Sequence, residues 1–269
     1  MTMHIVVCMK AVPDPAHWSQ IEIDEEKGIL KRQECPLVIN PLDRHALELA
    51  LQIKEKTPAT ISVVSMGPYP VQSNLQQFLA LGADQAYLLS DYNFAGADTL
   101  ATARTLAAAI QQYMSPYSYI LCGAWSLDGN TAQVGPQLAT LLDIPHITEA
   151  RQITIGQDGM LIIETKYDYY CNTYHVDCPV LITVTAEINK PRSASLMGIL
   201  AARNKQCTVL DAAALNLPRE QIGLAGSPTR PHRLFTPHYE RRQQYLSGSL
   251  QEAASALTSR LQSEGWLKR

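Results

Sequence analysis

The sequence predicts an α/β fold: a doubly wound parallel sheet, a β-rich second half, and an extended C-terminal arm ending in a helix. Three observations predict it. From residue 4 to about residue 145, short continuous apolar runs alternate with longer runs whose apolar residues recur at helical spacing, the pattern of parallel strands joined by crossover helices. From Ile147 to Thr185 that helical period is replaced by runs rich in β-branched and aromatic residues. Beyond about residue 190 the chain becomes polar, then rich in Gly and Pro, before one last amphipathic run.

Composition bounds the function. The 269 residues fit one large domain with extensions or two unequal ones. With 46% apolar and 17% charged residues the chain is globular rather than disordered. A net charge of −3 gives no basic footprint and argues against nucleic acid as a partner. No apolar run approaches the ~20 residues of a membrane span. The chain opens directly on a strand, without a basic, apolar, cleavable leader, so the expected location is cytoplasmic. Six cysteines (Cys8, Cys35, Cys122, Cys171, Cys178, Cys207) are scattered without zinc spacing, and buried free thiols are expected rather than disulfides. The histidines show no metal spacing either, and no metal is expected.

His4 to Met9 is the apolar run of a central parallel strand. It ends in Lys10-Ala11-Val12-Pro13-Asp14-Pro15, where two prolines favour an extended turn over a helix. That turn falls at a strand's carboxyl end, where open α/β sheets bind ligands. Ile21–Asp24 and Ile29–Arg32, separated by Glu26-Lys27-Gly28, read as a hairpin. Val38-Ile39 leads into a helix with Leu42, Ala46, Leu49, Ala50 and Ile53 on one face, Asn40 as N-cap and Pro41 at the first position. A well-capped helix is by itself a sufficient account of those residues. Ala59 to Met66 is a second central strand, and Gly67 just past its end lets backbone approach a ligand. A helix from about Val71 to Leu81 stops at Gly82, and Gln85 to Leu89 is a further strand. The next helix carries Leu100, Ala103, Leu106, Ala107 and Ile110 on one face, with Asp98 or Thr99 as cap. Thr102, inside the helix, can bond back to its own helix.

The stretch Gly123-Ala124-Trp125-Ser126-Leu127-Asp128-Gly129-Asn130-Thr131-Ala132-Gln133-Val134-Gly135-Pro136 carries the strongest chemical signal. It follows the buried run Tyr119–Cys122 and precedes a helix with Val134, Leu138, Leu141 and Leu142 at helical spacing. Strand, small polar turn, then helix is the layout of a phosphate-binding turn, because the first amides of a helix lack partners and its dipole favours an anion. Asn130 or Asp128 is expected to cap that helix, with Thr131 and Gln133 offering bonds to a phosphate or ribose. An ordinary capped helix after a strand also fits these residues. The turns after Met9, Ile39, Met66 and Cys122 are expected to converge on one rim of the sheet.

In the second half, Ile153–Ile155 and Met160–Ile163 flank a Gly156-Gln157-Asp158-Gly159 turn, and Pro179 to Thr185 is a strongly apolar strand. Lys166 to Tyr174 is rich in tyrosine, as on a sheet surface or a subunit interface. Glu187 to Met197 is loop-like, and Gly198 to Lys205 weakly helical. The stretch from Ile222 through Phe235-Thr236-Pro237 is expected to form no core element. Leu250, Ala253, Ala254, Leu257 and Leu261 mark a last helix suited to packing or to docking a partner.

The run Ser126-Leu127-Asp128-Gly129-Asn130-Thr131-Ala132-Gln133-Val134-Gly135-Pro136 resembles the nucleotide-binding turn of the electron transfer flavoprotein beta subunit. Asn130 stands where that family usually has an acidic residue. The resemblance extends to the opening strand with its Lys-x-Val-Pro-Asp turn at Lys10–Asp14, to Asn-Pro-x-Asp at Asn40–Asp43, and to Ala-Asp-Thr-Leu-Ala-Thr at Ala97–Thr102. It implies a sheet of the adenine-nucleotide-binding type. It also implies a cofactor site formed by Cys8, Lys10, Ala11, Asn40, Pro41, Leu42, Asp43, Met66, Gly67, Thr99, Thr102, Gly123, Asp128, Gly129, Asn130, Thr131, Ala132, Gln133, Val134 and Gly135. Leu196, with Met197 beside it, occupies the position of the exposed leucine that anchors a partner dehydrogenase. The chain is less basic after this loop than relatives are, and Asn172 and Tyr174 replace signature residues of the family. The Ala225-Gly226-Ser227-Pro228-Thr229 and Phe235-Thr236-Pro237 elements are similar to the branch from anaerobes, whose beta subunits hold FAD.

The domains expected on this basis are residues 1–190 for the α/β nucleotide-binding part, 191–237 for the recognition loop and arm, and 238–269 for a helix docking on the partner subunit. The resemblance implies FAD in this chain, with AMP as the alternative, and an alpha subunit carrying a second FAD. It further implies electron flow between NADH or ferredoxin/flavodoxin and an acyl-CoA dehydrogenase, with electron bifurcation in that branch. No catalytic side chain is expected, since the flavin carries the chemistry. The alternatives are an AMP-holding structural subunit or, from another class, a stand-alone nucleotide-binding regulatory module, against which the long arm counts. An adenylating ligase would need a Ser-Gly-Gly-x-Asp-Ser-like loop, which the chain lacks.

Overall fold

A computed structural model describes residues 2–20, 22–24, 29–31, 35–155, 160–167, 170–230 and 243–267. Along the chain these form β1 (Met3–Cys8), β2 (Ala11–Pro13), β3 (Glu22–Asp24), β4 (Ile29–Lys31), β5 (Leu37–Ile39) and α1 (Pro41–Lys56). Next come β6 (Ala59–Met66), α2 (Gln72–Leu81), β7 (Gln85–Leu89), α3 (Thr99–Tyr113), β8 (Tyr119–Gly123) and α4 (Val134–Leu141). The second half supplies β9 (His146–Ile155), β10 (Leu161–Tyr167), β11 (Tyr170–Val176), β12 (Val180–Val184), α5 (Leu196–Ala202), β13 (Cys207–Leu210) and α6 (Leu250–Ser263). The chain separates into two units, Met1–His232 and Arg233–Arg269.

The first unit is built on a nine-stranded sheet in the order β11-β10-β9-β12-β8-β1-β6-β7-β13. Every pair from β9 to β13 in that order is parallel, and β10 and β11 extend the β9 edge as antiparallel strands. The central strands are predominantly apolar because helices cover both faces, with Ser62 and Ser65 of β6 the buried polar exceptions on that strand. Ile5 and Val7 of β1 point to one face with Leu47 and Ala50 of α1 and Leu75 and Phe78 of α2. Val6 and Cys8 point to the other with Ala103 and Ile110 of α3 and Leu138 of α4. Burying each such side chain contributes about 1.5–3 kcal/mol. The expected doubly wound sheet is therefore present.

Its connectivity fixes where a ligand would sit. From β1 the chain runs through α1 and α2 to β6 and β7 on one side, then returns through α3 to β8 on the other. The order reverses between β1 and β8, so a crevice opens at their carboxyl ends.

Several local expectations give way to tertiary structure. Asn40 holds the N-cap position of α1, but its side chain makes no capping bond. Neither Asp128 nor Asn130 caps α4: the helix starts at Val134 after Gln133, also without a side-chain cap. Pro13 lies in extended β2 as expected, but Pro15 does not exclude helical structure, since Pro15–Gln20 is a 3-10 helix with Pro15 at its start. The helix expected from Gly198 begins at Leu196, because Ser195 Oγ accepts from the Gly198 amide and caps it. Leu141 is exposed at the end of α4 rather than on its buried face. Cys8 and Cys122 are buried free thiols, whereas Cys171 and Cys178 are exposed, on the edge strand β11 and just before β12.

The largest departure lies beyond residue 205. Cys207–Leu210 joins the main sheet as its last parallel strand, beside β7. The glycine-rich stretch after it is no free arm at its start: Ile222 is buried in the α3/α4 core. Gly223 sits at φ +52, and any Cβ there would run into the Asn93 carbonyl oxygen, so only glycine allows so close an approach. The Glu26-Lys27-Gly28 and Gly156–Gly159 turns, the Asp168-Tyr169 pair and the Phe235-Thr236-Pro237 element lie outside the described residues. Tyr167 and Tyr170 of the tyrosine-rich stretch are exposed at the β10/β11 end.

In the second unit, α6 opens with a capping box: Ser249 Oγ accepts from the Glu252 amide, and the Ser249 amide donates to Glu252 Oε2 at 2.8 Å. Leu250 and Leu257 of its apolar stripe are exposed. No helix among the described residues is long and apolar enough to cross a membrane.

Candidate functional site

The crevice at the carboxyl ends of β1, β6, β7 and β8 is a cleft of about 1410 Å³. Its floor is held by one buried carboxylate. Asp43, in the first turn of α1, accepts from the Lys10 amide (2.8 Å) at Oδ2, and from the Gly123 amide (3.0 Å) and Asn40 Nδ2 (3.1 Å) at Oδ1. One side chain thereby ties the ends of β1 and β8 to the start of α1. Asn40 extends the tie: its Nδ2 donates to the Trp125 carbonyl (2.9 Å), and its Oδ1 accepts from the Leu127 amide (3.2 Å). This is why Asn40 does not cap its own helix. Gly123 must be glycine, since a Cβ would lie 2.5 Å from Asp43 Oδ1 and 2.7 Å from Leu42 Cβ.

Burial pushes the Asp43 carboxyl up to about 6, against the pull of the Lys10, Asn40 and Gly123 donors and the Lys10 charge. Burial, with Asp43 nearby, pushes the Cys8 thiol up to about 12. The Cys122 thiol is raised well above its ordinary value by burial, then by Cys8 and Asp43. Both thiols are therefore neutral near pH 7 and serve as apolar lining rather than as nucleophiles.

The wall over β8 is the 124–133 turn. Lys10 Nζ reaches across from the β1 turn to Asp128 Oδ1 (2.6 Å) and Ser126 Oγ (3.2 Å). Burial raises the Asp128 carboxyl, but its hydrogen bond to Lys10 and the Lys10 charge carry it below the usual carboxylate range. Asn130 and Ala132 adopt left-handed φ values of 47° and 55°, which swing the chain into α4. The amides of Val134 and Gly135, both at the cleft, have no intrahelical partner, and Pro136 has no amide at all. Two backbone donors at a helix start, with the Lys10 ammonium nearby, are what a phosphate needs.

The opposite wall is the start of α3. Asp98 caps it, Oδ1 accepting from the Ala101 amide (2.9 Å). Its Oδ2 accepts from the Thr229 amide (3.0 Å) and hydroxyl (2.7 Å), and its amide donates to Ser227 Oγ (2.8 Å). Thr99 Oγ1 donates to Gln133 Oε1 at 3.0 Å, closing the two walls together. The back-bond considered for Thr102 is made by Thr105, whose hydroxyl donates to the Ala101 carbonyl, and Thr102 borders the cleft.

The structure brings most of the residues named from the sequence to this cleft: Cys8, Lys10 and Ala11 from the first turn, Asn40 and Asp43 below, and Met66 and Gly67 after β6. Thr99 and Thr102 come from α3, and Gly123, Gly129, Thr131, Ala132, Gln133, Val134 and Gly135 from the β8 side. Pro41, Leu42, Asp128 and Asn130 stand beside the lining: Leu42 is buried beneath it, and Asp128 is engaged with Lys10. Sequence reasoning missed Ser90, Asp91, Tyr92, Phe94 and Thr229, which also line the cleft. The first four follow the end of β7, so the strand-end rule applied to that strand would have found them. Thr229 is marked only through the resemblance of the Ala225–Thr229 element, and it is the fold that brings it to Asp98.

The fold and cleft define a class: an α/β protein with a site for a phosphate-bearing ligand at the switch point of its parallel sheet. Residues 27–215 match the model of the electron transfer flavoprotein domain. The chain is 42% identical to the electron transfer flavoprotein subunit beta of Thermoanaerobacterium thermosaccharolyticum, over 97% of this chain and 98% of that one. It is 38% identical to subunit CarD of the caffeyl-CoA reductase-Etf complex of Acetobacterium woodii, over 96% of this chain and 98% of that one. It is 37% identical to the acryloyl-CoA reductase electron transfer subunit gamma of Anaerotignum propionicum, again over 96% and 98%. The chain belongs to the electron transfer flavoprotein family, among its beta subunits.

Proposed function

We propose that this beta subunit holds FAD in the cleft between β1 and β8. Paired with an alpha subunit that carries a second FAD, it passes electrons between NADH or ferredoxin/flavodoxin and an acyl-CoA dehydrogenase. The observation that carries the FAD reading is the extent of the cleft. At about 1410 Å³, lined by Val134 and Gly135 of α4, Thr99 of α3, and Tyr69 and Tyr92 after β6 and β7, it exceeds the roughly 300–1,000 Å³ of a pocket for one small molecule. A mononucleotide would leave much of this volume empty, whereas a dinucleotide would use more of it.

The residues suit that ligand. The Val134 and Gly135 amides and Lys10 would take phosphate oxygens, Thr131 and Gln133 would meet a ribose, and the apolar floor of Cys8, Cys122 and Leu138 would take a flat ring. The isoalloxazine of bound FAD supplies one- and two-electron transfer; the chain supplies position and exclusion of water. The floor needs no rearrangement, because Asp43 and Asn40 already satisfy the amides that shape it. Bifurcation of electrons from NADH belongs to this reading; the names of the caffeyl-CoA and acryloyl-CoA reductase relatives support only its coarser part, electron transfer within a CoA-ester reductase complex.

Leu196 and Met197, 72% and 74% exposed at the start of α5, are proposed to dock the dehydrogenase. In this reading residues 1–190 form the nucleotide-binding part, 191–237 the recognition loop and arm, and 238–269, with α6, the contact to the alpha subunit. An anaerobic NADH titration of the heterodimer tests the mechanism. Bleaching of flavin absorbance by stoichiometric NADH is expected, and an unchanged spectrum with excess NADH would overturn it.

A further inference from the structure

The docking reading leaves open what holds the segment before Leu196 in place. Residues 189–195 contain no regular secondary structure, yet they lie along α1 at defined points. Asn189 makes a reciprocal pair with His45: its Nδ2 donates to the His45 carbonyl (3.0 Å), and its Oδ1 lies 3.0 Å from the His45 Nδ1. Three residues on, Arg192 spans two turns of the same helix. Its amide (3.1 Å) and Nε (2.8 Å) donate to Glu48 Oε2, its Nη2 to Glu48 Oε1 (2.9 Å), and its Nη1 to Glu55 Oε1 (2.5 Å). Glu48 is itself 5% exposed, and Gln52 Nε2 donates to its Oε1.

An exposed ion pair would contribute little, but this one is a bidentate fork onto a buried carboxylate, the geometry in which arginine is not replaceable by lysine. It also stands four residues before Leu196, so fixing Arg192 fixes the path by which the chain reaches α5, whose first turn Ser195 then caps. We propose that Arg192 is a positioning residue: by clamping residues 189–195 to Glu48 and Glu55 of α1, it holds Leu196 and Met197 in the orientation that a partner dehydrogenase reads. The proposal rests on the docking role given to Leu196 above, and its test separates the two.

The test uses the heterodimer with its alpha subunit and an acyl-CoA dehydrogenase as electron partner. It compares Arg192→Gln, Arg192→Lys, the double variant Glu48→Gln/Arg192→Gln and Leu196→Ala. The double variant removes the buried charge that Arg192→Gln alone would strand, so a failure of folding in the single variant does not end the test. Three readouts are taken: KM against kcat for the dehydrogenase, flavin content, and amide hydrogen exchange over residues 193–202.

The clamp predicts that Arg192→Gln and the double variant raise KM about tenfold or more. Flavin content should stay unchanged and exchange over 193–202 should accelerate, with Arg192→Lys intermediate. Leu196→Ala should raise KM without changing exchange. If Leu196→Ala raises KM while neither Arg192 variant alters KM or exchange, the clamp is overturned and the docking reading stands. If Leu196→Ala leaves KM unchanged, the docking reading falls, and the positioning of its side chains for a partner falls with it.

Discussion

The cleft floor and the docking segment are both pinned to α1, and they are built on opposite principles. At the N-terminal end of the helix, Asn40 and Asp43 are buried and bonded mostly to backbone amides and a carbonyl of the β1 and β8 ends. At its middle and its last turn, Glu48 and Glu55 hold a loop through one long guanidinium, and what that loop presents is apolar and exposed. A site for a cofactor gains from a floor complete before the ligand arrives, because binding then carries no ordering cost. A surface for a passing partner needs apolar side chains in water, so its order has to come from the segment behind them.

That contrast can be broken most severely at Gly123. Gly123→Val would drive a branched side chain into Asp43 and Leu42, at a cost of about 3 kcal/mol or more; thermal unfolding is expected to show a lowered midpoint together with loss of bound nucleotide. Next comes Asp43. Its folded carboxyl titrates near 6, above the unfolded value of about 3.9, so the native state keeps a proton that the unfolded state has released. This contribution is fully present below pH 4 and is lost as pH rises through 6. It amounts to up to about 3 kcal/mol, at two units and about 1.4 kcal/mol per unit. Denaturant melts of Asp43→Asn should show that decline flattened between pH 4 and 6. Asp98 behaves oppositely: burial raises it, but bonds from Ala101 and Thr229 hold it below the carboxylate range. Its contribution is present above pH 4 and lost as pH falls.

Lys10→Met combined with Asp128→Asn, so that no carboxylate is stranded, removes the ammonium at the cleft and is expected to weaken nucleotide binding about tenfold, read by isothermal titration, with the fold retained. The smallest effect on stability belongs to Leu196→Ala, within about 0.5 kcal/mol because the side chain is already in water, although the KM for the dehydrogenase should rise. A large loss of stability there would mean that Leu196 is core rather than contact.

Much of the sheet was legible because its central strands are short, largely apolar runs rich in β-branched or aromatic residues, as at Ala59–Met66 and Gln85–Leu89, where the expected bounds are those observed. The convergence of the turns was legible too, since each follows a strand end. The failures share a cause: a distant partner outcompeted a local rule. Asn40 looked like a cap, but Trp125 and Leu127 claim its side chain. Asp128 looked like another, but Lys10 claims it. Cys207–Leu210 is too short to announce a strand, and only β7 beside it makes it one. Ile222 lies among glycines that suggested a free arm, whereas Gly223 is there to let the chain press against Asn93.

The measurement that bears most directly on the account is the nucleotide content of the purified heterodimer, with flavin and AMP released and counted per alpha–beta pair. Two FAD and no AMP is the predicted result, one flavin lying in the cleft of this chain. One FAD with one AMP would contradict it and make the cleft a structural mononucleotide site, with electrons carried by the alpha subunit alone.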